Sequence, residues 1–201
     1  MKDWIGNSKT TFVQLGASSH SDRERETNDY YATDPNTLVI FLEALKRDKL
    51  TLYKNIWECA CGEGHLSKVL CGGGYNVLST DKINRGYGEV QDFLEILPFK
   101  VYDYDILTNP PYKYAQEFVE QSLRLVAEGR YVIMLLKIQF LEGKERRKLF
   151  DKYPPKYVYV NSSRQTCYIN GNMDHKMSSA SCYCWFVWQK GFKGEPIIRW
   201  I

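Results

Sequence analysis

Three short segments hold residue types whose order and spacing could do chemistry. The first is Glu58-Cys59-Ala60-Cys61-Gly62-Glu63-Gly64. Its two glycines allow a tight turn and a close backbone approach to a ligand. The second is Asp81, 17 residues after Gly64. An acid ending the next strand can accept hydrogen bonds from the ribose hydroxyls of an adenosine ligand. The third is Thr108-Asn109-Pro110-Pro111-Tyr112. Two prolines stiffen the backbone and remove two N–H donors. What is left is an acceptor-rich corner, with the Asn109 side-chain oxygen beside proline carbonyls. Such a corner suits a neutral amino group that brings two N–H donors. The Tyr112 ring can stack on a planar group.

Each segment also has a plain structural reading. A G-x-G turn often only joins a strand to a helix, an aspartate often only caps, and Asn-Pro turns commonly follow strands. The combination, in this order and each after a strand, is what favours the functional reading. Position 67 is serine, so the G-x-G-x-x-G pattern of dinucleotide enzymes is incomplete, which counts against a nicotinamide cofactor.

The elements that must position these residues alternate along the chain. Asp34-Pro35 reads as a helix start, followed by Leu38, Phe41, Leu42 and Leu45 at helical spacing. A strand over Ile56–Ala60 leads through the glycine turn into a helix over His65–Leu70, which Gly72-Gly73-Gly74 ends. Strands are expected at Tyr75–Thr80 and Asp105–Thr108, a helix at Ala115–Ala127, and a buried apolar strand at Arg130–Leu136. A charged helix over Lys144–Lys152 precedes strands at Tyr157–Val160 and Tyr183–Gln189. The last two have no helix between them, so an antiparallel pair near the sheet edge is expected. The class is α/β, an open and mostly parallel sheet with helices on both faces. Residues 1–29 read as a polar arm and 30–201 as the domain. Asn161 to Ser181 is a long polar connection, a length that is usually functional or disordered.

Bulk properties narrow the class. The chain has 201 residues, 44% hydrophobic and 25% charged, enough for a real core. A net charge of +3 does not by itself indicate nucleic-acid binding. The longest apolar run, Tyr131 to Leu136, is too short to span a membrane, and residues 1–30 contain no apolar leader core. A cytoplasmic protein without membrane association is expected. Two Cys-x-Cys pairs, Cys59/Cys61 and Cys182/Cys184, and the scattered His20, His65 and His175 do not match zinc spacing, so buried reduced thiols and no metal are expected. Lys144, Arg146, Arg147, Lys148 and Lys152 alternate with Glu142, Glu145 and Asp151, as on a solvated helix face. Arg164 and Lys176, in the polar connection, are better suited to tracking phosphates.

On these residues the chain resembles the amino-methyltransferases with an Asn-Pro-Pro-Tyr motif, which methylate exocyclic amines of adenine or side-chain amides. The order of Tyr31-Ala32-Thr33-Asp34-Pro35, the glycine turn and Asn-Pro-Pro-Tyr is similar to the gamma class of DNA adenine-N6 methyltransferases. Leu15-Gly16-Ala17-Ser18, Asn28-Asp29-Tyr30 and Trp185-Phe186-Val187-Trp188 look like the small methyltransferases of phages and prophages. The resemblance implies a Rossmann-like class I methyltransferase fold, with a mostly parallel seven-stranded sheet and an antiparallel edge strand.

It also implies S-adenosyl-L-methionine as cofactor and nucleic acid, DNA foremost, as partner. Tyr31, Thr33 and Pro35 would touch the cofactor. Glu58, Ala60, Gly62 and Gly64 would lie under its methionine part. Asp81 would hold the ribose, and Asp92-Phe93 would meet the adenine. Asn109, Pro110, Pro111 and Tyr112 would hold the target amine, with Asn109 also near the cofactor. Glu58 and Cys61 depart from the usual turn residues. No separate target-recognition domain follows the last strand, which implies modest sequence specificity. A protein-glutamine or ribosomal-RNA methyltransferase, and a non-catalytic binding module, are the competing readings.

Overall fold

The first helix starts where Asp34 and Pro35 dictate. The Asn36 N–H donates to Asp34 Oδ1 at 2.9 Å, and Pro35 takes the first helical position, where a missing N–H costs nothing. The computed structural model describes residues 31–162, 167–169 and 182–201. Helix α1 (Pro35–Arg47) buries Thr37, Leu38, Phe41, Ala44 and Leu45 along one face. Phe41 carries that face into the sheet. It stacks on Trp185 at 4.7 Å and meets Tyr159 edge-on at 5.3 Å, contacts worth about 0.5–1.5 kcal/mol each beyond simple burial.

After a short strand β1 (Tyr31–Thr33) and α1 come β2 (Asn55–Glu58), α2 (His65–Gly72), β3 (Asn76–Asp81), β4 (Glu89–Val90), β5 (Asp105–Thr108), α3 (Ala115–Leu125) and β6 (Tyr131–Lys137). Then follow α4 (Lys144–Lys152), β7 (Tyr157–Val160), β8 (Cys167–Ile169), β9 (Tyr183–Gln189) and β10 (Ile197–Trp200). Eight strands form one sheet in the order β10-β7-β9-β6-β5-β2-β3-β4, and β1 pairs with β8 in a small antiparallel sheet. All neighbours in the large sheet are parallel except at β9, which runs antiparallel to both β6 and β7.

The α/β class and the mostly parallel sheet follow the expectation from the sequence. The expected antiparallel strand is β9, two places in from the border, with β7 and β10 outside it. The sheet has eight described strands where the resemblance implies seven: the six read from the sequence, with β4 and β10 added at its two edges. Neither leaves a pattern in the sequence: β4 has two residues, and all four residues of β10 are exposed, so no alternation is required. Helix α3 stops at Leu125, two residues before the expected Ala127, and β2 ends at Glu58 instead of Ala60.

Two apolar layers sandwich the sheet. One gathers Trp57, Phe93, Phe118, Val119, Met134, Phe186 and Trp188, the other Leu38, Phe41, Ile56, Leu107, Ile133 and Trp185. Strand β6 supplies both, since neighbouring residues on a strand point to opposite faces. That is why its run of apolar residues does not alternate. At the opposite end of the sheet from the motifs, Asp105 is buried and accepts N–H groups of Tyr53 at 2.6 Å and Tyr131 at 2.8 Å. It ties the starts of β5 and β6 to the segment before β2.

Candidate active site

The chain leaves the centre of the sheet in two directions. From β2 it moves to β3 and β4 on one side, and the later strands β5 and β6 lie on the other. The crevice beyond the carboxyl ends of β2 and β5 is therefore a topological switch point, where open α/β sheets bind ligands. The turn after β2 is the Cys59–Gly64 segment, and the turn after β5 is Asn109–Tyr112. Two motifs 45 residues apart in sequence thus flank one crevice, with Asp81 at the end of β3 next to them.

The glycine turn is held by Asp81. Gly62 and Gly64 have φ of +55° and +78°, a region that L side chains rarely adopt. The Gly62 N–H donates to Asp81 Oδ2 at 2.9 Å, and the Cys61 N–H donates to the Thr80 carbonyl at 3.0 Å. Asp81 Oδ1 accepts the Ile83 N–H at 2.9 Å and an Arg85 guanidinium N–H at 3.2 Å. The space a side chain would need at Gly64 is filled by the Tyr87 ring, against which a Cβ there would collide. The close approach that requires Gly64 is therefore made by Tyr87, a residue of the same domain.

Glu58, expected beside the cofactor, is turned into the domain. Its carboxyl is fully buried and takes a hydrogen bond from Ser67 on α2, whose hydroxyl also lies 2.6 Å from that of Ser79 on β3. Burial pushes its pKa up to about 8, against the lowering effect of the Ser67 bond. Glu58 joins three elements beneath the turn. Ala60, by contrast, is partly exposed at the crevice end of β2.

Asp92 and Phe93 separate in the same way. Asp92 caps a 3₁₀ turn over Phe93–Glu95 through the Leu94 N–H at 3.1 Å, and pairs with Lys82 at 2.6 Å. Phe93 is 1% exposed, enclosed by Trp57 at 5.3 Å and Phe118 at 5.2 Å. Its ring belongs to the core, and Asp92 is the more accessible side chain of the pair.

The Asn-Pro-Pro-Tyr corner is tied to the first described strand. Asn109 Nδ2 donates to Thr33 Oγ1 at 2.8 Å, across 76 residues of sequence. Thr33 is buried. Since the amide nitrogen serves Thr33, the other amide atom, Oδ1, is the acceptor. Pro110 is buried and Pro111 half-buried, and residues Tyr112–Tyr114 form a 3₁₀ turn into α3. The Tyr112 ring meets Tyr183 at 5.9 Å, and Lys137 Nζ stands 5.4 Å from its centroid. Pro35 sits at the start of α1, two residues after Thr33; the Tyr31 side chain lies outside the described residues.

The remaining sequence expectations divide. Cys59, Cys61 and Cys184 are buried thiols, and burial pushes the pKa of Cys61 and of Cys184 up to about 12. Cys59 and Cys61 lie beyond the end of β2, not within it. The basic run of α4 faces solvent, with Arg147–Asp151 at 2.7 Å and Lys148–Glu145 at 2.8 Å. Among the described residues no helix is long and apolar enough to cross a membrane. The arm over residues 1–29, Arg164 and Lys176 lie outside the described residues. Lys82, Arg85, Tyr87, Lys137 and Tyr183 surround the site without having been expected there. Arg85, four residues after Asp81 in Asn84-Arg85-Gly86-Tyr87-Gly88, was the one with a readable signal, a cation just past the acid and just before two glycines.

The fold has structural counterparts. The fold is that of the class I methyltransferases. The S-adenosylmethionine-dependent O-methyltransferase of Thermotoga maritima is similar with a TM-score of 0.51 and 14% identity, over 94% of this chain and 74% of that one. A Pyrococcus horikoshii protein described as an RNA methyltransferase gives a TM-score of 0.59 at 14% identity, over 94% of this chain and 100% of that one. A Vibrio vulnificus protein described as the modification subunit of a type I restriction enzyme gives 0.59 at 10% identity, over 96% of this chain and 50% of that one. Neither a protein-family model nor a curated protein sequence matches this chain.

Proposed function

We propose that this protein is an S-adenosyl-L-methionine-dependent N-methyltransferase acting on the exocyclic N6 amine of adenine in DNA. One observation supports the reading: the Asn109 amide nitrogen donates to Thr33 Oγ1 at 2.8 Å, which fixes the amide on the corner after β5 and leaves Oδ1 as its accepting atom, the role the reading gives it together with the Pro110 carbonyl. The residues present also fit the cofactor. Asp81 and Asp92 offer carboxylate oxygens to hydroxyl and amino donors, and the turn between β2 and α2 exposes no Cβ at Gly62. Thr33, Ala60, Gly62, Asp81 and Asp92 would hold it. When bound, it supplies a methyl group already activated on a sulfonium.

The chain's own residues then have a limited task. The lone pair of an exocyclic adenine nitrogen is delocalised into the ring. Asn109 Oδ1 and the Pro110 carbonyl accept its two hydrogens, which draws the nitrogen toward tetrahedral geometry and frees the lone pair. Tyr112 stacks on the base, an interaction worth about 1–3 kcal/mol that offsets much of the few kcal/mol needed to extrude a base from a duplex. Positioning and preorganised acceptors do most of the work, and no strong base is needed.

An RNA substrate is the second reading, supported by the likeness to the Pyrococcus horikoshii protein over its whole length. Incubation with labelled cofactor and DNA, RNA or glutamine peptides, followed by digestion and mass spectrometry, tests both. N6-methyladenine in DNA is the expected product. Label confined to RNA or peptide would overturn the DNA assignment, and no label in any would overturn the enzyme.

A further inference from the structure

Asp81, the acid proposed to receive the ribose, has little acceptor capacity left. An ionised carboxylate offers about four lone-pair directions. The Gly62 N–H takes one on Oδ2; the Ile83 N–H and the Arg85 guanidinium take two on Oδ1. A ribose diol that donates both hydroxyls brings two donors to a group with room for about one. One present donor must therefore leave. Release of the Gly62 N–H would loosen the turn that lines the site. The Ile83 bond is made within the backbone two residues on. Among the described residues, Arg85 is the one that reaches Asp81 through a side chain.

The surroundings agree. The Arg85 and Asp81 side chains are 15% and 14% exposed, so solvent screens the pair only in part. Gly86, next to Arg85, has φ +80° and open space around its Cα. Lys82, from the same segment, covers the second carboxylate, Asp92. Thus both acids assigned to the adenosine part carry a cation from the stretch that follows β3.

We infer that Arg85 determines affinity and specificity at the ribose site, its guanidinium holding Asp81 Oδ1 in place of the diol and giving it up when a diol binds. The inference rests on the cofactor reading above. It makes diol binding an exchange, so a ligand without the diol gains nothing from removal of the guanidinium.

The test is calorimetry on the full chain with S-adenosylhomocysteine and with its 2′,3′-dideoxy analogue, for wild type, Arg85→Met and Arg85→Lys. Methionine keeps the apolar stem and removes the donor. The affinity of Arg85→Met for S-adenosylhomocysteine should rise about threefold to tenfold, the scale of one partly buried ion pair. Arg85→Lys should stay near wild type, and the dideoxy analogue should bind wild type and Arg85→Met alike. Unchanged or weaker binding of S-adenosylhomocysteine by a folded Arg85→Met overturns the exchange and leaves the cofactor reading intact. Equal tightening of the dideoxy analogue also overturns it. Absence of binding by all three folded proteins would remove the cofactor reading and the exchange together.

Discussion

The two walls of the crevice are built differently. On the wall after β2, the residues that look functional in the sequence also hold the domain together. Asp81 anchors Gly62, Gly64 makes room for Tyr87, and Glu58 binds Ser67 beneath the turn. On the wall after β5, Asn109 and Tyr112 meet partners distant in sequence, among them Thr33, Tyr183 and Lys137. If the proposed function holds, the first wall joins stability to binding, and the second is the wall where chemistry should be lost at the smaller cost to the fold. A glycine or an acid in a ligand-type motif is therefore no evidence of ligand contact until its own neighbours are known.

The largest expected effect is on the second wall. Asn109→Ala should lower turnover roughly 10²- to 10³-fold, the cost of one preorganised polar group at a reacting centre. Affinity for S-adenosylhomocysteine should stay within about twofold, and stability should fall by about 1–3 kcal/mol, the cost of the buried bond to Thr33. Steady-state kinetics beside calorimetry and thermal melts would read this. A wild-type rate on the true substrate would make Asn-Pro-Pro-Tyr a structural turn.

Asp81→Ala should instead move two readouts at once. Ligand binding should weaken by about 1.5–3 kcal/mol, as for a charge-assisted hydrogen bond. The same variant should melt earlier, because the Gly62 and Ile83 N–H groups lose their acceptor. Weakened binding with no loss of stability would break the contrast between the walls.

Gly64→Ala should destabilise by about 1–3 kcal/mol through strained backbone and collision with Tyr87. Urea denaturation measures it. Combining it with Tyr87→Ala separates the two causes: partial recovery identifies the collision, and strict additivity leaves backbone strain alone.

The last effect is spread over pH as a slope. Glu58 has a folded pKa of about 8 against an ordinary value of 4.5. An acid raised in this way favours the folded state at low pH and loses that advantage as pH climbs from about 4.5 through 8. Between those limits wild type should lose about 1.4 kcal/mol of stability per pH unit relative to Glu58→Gln, and the difference should level off above pH 8. Parallel stability curves for the two proteins would mean that Glu58 is not a buried acid.

Much of the fold was legible because its signals are local. Asp34-Pro35 announces α1, the apolar run from Val132 to Leu136 announces a central strand, and the boundaries of α4, β7 and β9 match the expected residues. The edge strands were illegible: β4 is too short and β10 too exposed to need a pattern. In the site, Asn109 and Asp81 stood out by order and spacing. The burial of Glu58 and Phe93 was not legible, since burial depends on what packs above a residue. Trp57 and Phe118 enclose Phe93 from distant parts of the chain.

The sequence by itself determined the alternation of strand and helix, the rigid acceptor-rich backbone of Asn109-Pro110-Pro111, and the order of glycine turn, acid and corner. These depend on residue type and near neighbours, which the chain carries wherever it goes. Only the tertiary structure decided that the two turns flank one crevice, because strand order is set by pairing between segments remote in sequence. It alone decided that Thr33 orients Asn109, that Tyr87 fills the space at Gly64, and that Arg85 reaches Asp81. Each is a contact a few ångströms long, whose partners packing and hydrogen-bond satisfaction choose.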